Sequence, residues 1–134
     1  MQYKTIEVRR LGPVIGAEIS GLDLRRPLND RAAEELKAAL FENQVLFFRD
    51  QDITPDQHRT LSQILGDAVT HPFFNTLSDD YPDISLIETG GADTPLEPGT
   101  SFAYWHTDMT FFENPPLAAI LRAKKLPPMG SDTL

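Results

Sequence analysis

The chain of 134 residues reads as an α+β domain whose later part is antiparallel sheet. Three observations carry this reading. Two helix signatures, over residues 29–42 and from Thr54 onward, each follow an apolar stretch of strand character. From Ile84 onward the candidate elements are nearly all strands. Apolar residues make up 40% of the chain and charged residues 24%, enough apolar side chain to fill the core of about one domain.

The first strand is expected over Val14–Ile19, behind the Gly12-Pro13 turn. Residues 29–42 have helical periodicity. Asn29 can cap the helix, Ala32, Ala33, Leu36, Ala39 and Leu40 share a face, and Glu34 and Lys37 can pair on the wet side. Gln44–Phe48 has the β-branched and aromatic content of a buried strand. In Thr54-Pro55-Asp56-Gln57, threonine is an N-cap, proline fits the first helical position, and Gln57 can close a capping box. Leu61, Ile64 and Leu65 give that helix an apolar face, and Gly66 can end it. Residues 84–87 read as a strand and residues 90–103 as a long loop. Strand candidates follow at 104–111 and 117–123, and Pro127–Gly130 forms a turn. Leu134 falls where another strand is beginning, which reads as a truncated protein.

Composition excludes several function classes. With no cysteine there is no disulfide, thiolate metal site or cysteine nucleophile. A net charge of −8 argues against nonspecific binding to nucleic acid or to an anionic membrane. The first ten residues lack the apolar core of a signal peptide, and no apolar run approaches the roughly 18 residues that span a bilayer. The expectation is a cytoplasmic protein.

The chemistry concentrates in YWHTDMTFFENPP, residues 104–116. If residues 104–111 form a strand, Tyr104, His106, Asp108 and Thr110 face one way, and Trp105, Thr107, Met109 and Phe111 face the other. One metal ion can then bridge the imidazole of His106 and the carboxylate of Asp108, while the mostly apolar opposite face anchors the strand. Imidazole plus carboxylate suits Fe(II), Mn(II) or Zn(II), and a second histidine would complete the two-histidine, one-carboxylate set of non-heme iron oxygenases. The pattern His-x-Asp is short, however, and an isolated occurrence is more often a surface ion pair or a buried hydrogen bond.

A longer pattern adds weight. WHTDMTFFENPPLAAILRAKKLPPMGSDTL resembles the taurine dioxygenase (TauD/TfdA) family of Fe(II)- and 2-oxoglutarate-dependent dioxygenases. LGPVIGAEISGLDLRRPL is similar to that family's N-terminal segment, NQVLFFRDQDITPDQ to its next strand and helix start, and THPF to the segment before its variable loop. The resemblance covers nearly the whole chain and makes residues 1–134 the N-terminal part of a single domain. It implies a double-stranded β-helix (jelly-roll) core with flanking helices, His106 and Asp108 as iron ligands, and Thr133 in the 2-oxoglutarate site. His71 matches a substrate-contacting histidine, with a loop role held by Pro72 as the structural alternative; His58 matches no functional residue. Phe74 stands where taurine-type members carry a substrate-contacting tyrosine, and Phe102 lies near the position of their asparagine. Both changes make the pocket less polar, so a bulkier sulfonate, an alkyl sulfate ester or another anionic small molecule suits it as well as taurine. The family's second iron histidine and its 2-oxoglutarate-binding arginine lie farther downstream than residue 134.

The reaction so implied consumes dioxygen and 2-oxoglutarate, releases succinate and CO2, and hydroxylates a small, anionic substrate. The hydroxylated carbon of a sulfonate or sulfate ester then collapses to an aldehyde, expelling sulfite or sulfate. Residues 90–103 are the candidate lid, and the resemblance implies a homo-oligomer. Two other readings compete: a non-catalytic truncated fragment or binding module of the same fold, and a zinc hydrolase, which would need a third ligand and a general base.

Overall fold

The computed structural model describes residues 2–87 and 106–125. The chain forms two compact units, Met1–Ala68 and Val69–Leu134.

The first unit contains β1 (Glu7–Arg10), β2 (Ala17–Ser20), α1 (Asp30–Asn43), β3 (Leu46–Phe48) and α2 (Pro55–Gln63). The sheet order is β1-β2-β3, with β1 antiparallel and β3 parallel to β2. Register sorts the side chains. Ala17 lies opposite Leu46 and Ile19 opposite Phe48, so these apolar residues share one face. Ile6, Ile19 and Ala39 of α1 form a buried cluster there, with Tyr3, Val8, Leu22, Leu46 and Phe48 packed against it. Glu18 and Phe47 pair on the other face, where Glu18 receives Arg9 at 3.0 Å and Arg49 at 3.2 Å. Hydrogen bonds from Arg9 and then Arg49 hold the Glu18 carboxyl below its ordinary range.

Both helices begin where expected. The Asn29 side chain accepts the Ala32 N–H at 2.9 Å, and Thr54 and Gln57 close a reciprocal capping box. The first helix buries Ala32, Glu35, Leu36, Ala39 and Asn43. Its ion pair is Arg31–Glu35, one turn apart at 3.0 Å. It ends because Gln44 adopts φ 60° while its N–H closes on the Leu40 carbonyl. That turn shortens the next strand to Leu46–Phe48, and as the sheet's terminal strand it leaves Phe47 42% exposed. Among the described residues, the stretch expected to be a buried strand is therefore an edge.

Glu35 is 1% exposed and accepts four donors: the Lys4 N–H at 3.0 Å, the Thr5 N–H at 2.8 Å, the Thr5 hydroxyl at 2.7 Å and Arg31 Nε at 3.0 Å. Burial pushes this carboxyl up, but the donors from Thr5, Arg31 and Lys4 outweigh burial and hold it at about 2.

In the second unit β4 (Thr76–Ser78) and β5 (Tyr81–Ser85) form an antiparallel hairpin closed at the Ser78–Tyr81 pair. The strand expected at 84–87 overlaps the observed one only at Ile84 and Ser85: the strand begins at Tyr81, and Leu86 and Ile87 lie beyond its end. Residues 117–123 form neither strand nor helix, and Leu117 and Leu121 are exposed. Apolar, β-compatible composition becomes a strand only when a neighbouring ladder takes its backbone. The turn expected at Pro127–Gly130 lies outside the described residues.

Two measurements test this account. Thr54→Ala removes one side of the capping box and is expected to lower the stability of the protein by about 1 kcal/mol in urea denaturation. Glu35→Gln is expected to lower the urea midpoint at neutral pH. The folded-state pKa lies below the ordinary 4.5, so the carboxylate's contribution is complete above pH 4.5 and disappears as the pH falls toward 2. The gap between wild type and Glu35→Gln should narrow over that window; a constant gap contradicts the assignment.

Candidate active site

The described part of 104–111 is a turn where a strand was expected; Tyr104 and Trp105 lie outside the described residues. Met109 breaks the extended run. Its φ is 52°, uncommon for a residue other than glycine, and it is 8% exposed. The Phe112 N–H closes the turn on the Met109 carbonyl at 3.2 Å. Strict alternation is lost: Thr107 and Thr110, expected on opposite faces, bring their hydroxyls to 2.9 Å. Phe111, expected to help anchor the strand, is 65% exposed.

The turn nevertheless brings the two predicted ligands together. His106 Nε2 lies 3.3 Å from Asp108 Oδ1, and both side chains are open to solvent, at 53% and 62%. Two donors about 2.1 Å from one first-row ion, at a right angle, stand about 3 Å apart. The spacing and donor chemistry of the pair therefore fit a divalent metal. Among the described residues no third histidine, aspartate or glutamate joins them.

His71 sits in an aromatic cluster. Its ring lies 4.3 Å from that of Phe74 and 5.8 Å, edge-on, from that of Phe73. Its Nδ1 accepts the Phe73 N–H at 3.2 Å. An accepting Nδ1 places the proton of the neutral imidazole on Nε2, making that nitrogen a donor. Phe73 in turn meets Phe111 at 6.0 Å, and Phe111 stacks on Phe112 at 4.8 Å. The His71 segment and the His106–Asp108 turn are thereby linked through a Phe73–Phe111 contact that the sequence did not predict. The doublets Phe73-Phe74 and Phe111-Phe112 were the available signal.

Phe102, Thr133 and the candidate lid at 90–103 lie outside the described residues. His58 lies on α2, in the first unit, where its N–H closes a helical bond to Thr54. Among the described residues, no helix is long and apolar enough to cross a membrane.

The family model for the taurine catabolism dioxygenases, TauD/TfdA, matches residues 7–134. The chain belongs to this family. An alpha-ketoglutarate-dependent sulfate ester dioxygenase from Pseudomonas putida is 35% identical over 96% of the chain and 40% of its own length. An alkylsulfatase from Acinetobacter baylyi is 33% identical over 96% of the chain and 38% of its length. Against the crystal structure of a taurine dioxygenase from Burkholderia xenovorans the TM-score is 0.54, with 38% identity over 59% of this chain and 28% of that one. The chain thus spans about 40% of the length of these curated relatives.

The His71 tautomer can be read directly. Long-range 15N–1H NMR on the neutral imidazole, at alkaline pH, is expected to show Nδ1 unprotonated and Nε2 protonated; the reverse tautomer contradicts the Phe73 N–H bond.

Proposed function

We propose that residues 1–134 contribute to one jelly-roll dioxygenase domain that hydroxylates a small organic anion, a sulfate ester or sulfonate, at the expense of 2-oxoglutarate and dioxygen. The observation that carries this reading is the 3.3 Å approach of His106 Nε2 and Asp108 Oδ1. Both side chains are open to solvent and therefore accessible to a metal ion.

In this reading His106 and Asp108 supply two of the protein donors to Fe(II), and Thr133 helps bind 2-oxoglutarate. When bound, the iron couples decarboxylation of the 2-oxo acid to hydroxylation of a substrate carbon. This chain's own residues bind and orient. The Nε2–H of His71 donates to an oxygen of the anionic group, placing the adjoining carbon. Phe74 and Phe102 line the pocket without hydroxyl or amide groups, keeping water from the reacting carbon. A sulfate ester is favoured over taurine, because Phe74 and Phe102 offer taurine's ammonium group no hydroxyl or amide oxygen to accept its hydrogen bonds. Collapse of the hydroxylated ester to aldehyde and sulfate follows from its own chemistry and needs no further residue. The sulfate ester dioxygenase of P. putida supports this choice.

The test uses the full-length protein. Anaerobic addition of Fe(II) and 2-oxoglutarate is expected to produce a visible charge-transfer band. His106→Ala and Asp108→Ala should each abolish it and weaken Fe(II) binding more than about 100-fold. A band of unchanged position and strength in either variant removes that residue from the ligand set and the reading with it.

A further inference from the structure

We infer that Phe73 and Phe111 form an apolar platform that selects the organic anion by its hydrocarbon tail. This deepens the proposed function and rests on it for the identity of the anion. The two rings come from segments far apart in sequence and meet at 6.0 Å, yet Phe73 is 77% exposed and Phe111 65%. A phenylalanine offers on the order of 150–250 Å² of surface, so two in contact present an apolar patch that water solvates poorly and that an apolar ligand can cover.

Continuity with His71 identifies the occupant. The imidazole packs edge-on against Phe73 at 5.8 Å, and its Nδ1 is taken by the Phe73 N–H at 3.2 Å. An anion held by His71 Nε2–H therefore has Phe73 beside it and Phe111 one ring farther on. Phe111 belongs to the turn that Met109 and Phe112 close, immediately after Asp108. A ligand with a charged oxygen at one end and a flexible alkyl chain at the other matches this order of donor, ring and ring. A compact zwitterion such as taurine fills only its first part. Phe112 stacks behind Phe111 at 4.8 Å and steadies it.

The experiment measures binding without turnover, on the full-length protein kept free of iron and oxygen. Isothermal titration with ethyl, butyl, hexyl and octyl sulfate is expected to show affinity rising by up to about fourfold per added methylene. Phe73→Ala and Phe111→Ala should flatten that rise, with the largest loss for octyl sulfate, while Phe73→Leu and Phe111→Leu retain most of it. Affinity independent of chain length overturns the inference. So does an unchanged rise in both alanine variants, including the case in which either substitution instead shifts the oligomeric state by size-exclusion chromatography and thereby marks the rings as an interface between copies. Tail-dependent binding that survives alongside a missing charge-transfer band counts against the oxygenase reading and in favour of the platform.

Discussion

The buried carboxylate of Glu35 is the constraint on which the first unit depends. An ionised group out of water is costly unless its oxygens are satisfied, and here backbone, hydroxyl and guanidinium donors do so. The acceptor sits on α1 and most of its donors on residues 4 and 5, so the bonds fix the approach of the chain to β1. Ile6 follows directly and enters the core. With β1 placed, its antiparallel register sets β2, and β2 sets the parallel β3. Tyr3 adds a tie to the same helix through its hydroxyl bond to Glu42 at 2.8 Å; burial and then that bond raise the phenol to about 12. One charged group therefore orders a sheet whose strands are too short to order themselves.

The candidate active site follows the opposite rule. His106 and Asp108 are open to water, and Met109 alone in that turn is buried. A single apolar anchor with left-handed backbone sets the direction of two polar side chains. The aromatic rings around His71 likewise combine contact with exposure. Glu35, which ties the first unit together, is enclosed, whereas the candidate ligands His106 and Asp108 are accessible.

What the sequence disclosed depended on the range of the interaction responsible. The Asn29 cap and the Thr54–Gln57 box lie within one helical turn, so residue types alone revealed them. The strand Glu7–Arg10 was invisible because EVRR has no apolar alternation; pairing with Ala17–Ser20 makes it a strand. The sequence assigned Glu35 no role, since nothing local announces the Lys4 and Thr5 donors 31 and 30 positions away. At 104–111 the β-compatible composition pointed to a strand, and the conformation of Met109 overrode it. The proximity of His106 to Asp108 was still legible, because residues two apart remain neighbours in either conformation. The link between Phe73 and Phe111 was not, being a tertiary contact between separate segments.

The tightness of the Met109 turn has a thermodynamic consequence. His106 and Asp108 are separated by one residue and their donor atoms already stand 3.3 Å apart, so any cation they share would be held through one short stretch of chain. Once the first donor has bound, the second is present at high effective concentration and requires almost no further loss of chain entropy. A remaining protein donor would then meet an ion already desolvated on one side, and the cost of recruiting it from a distant part of a polypeptide would fall on closing a single loop.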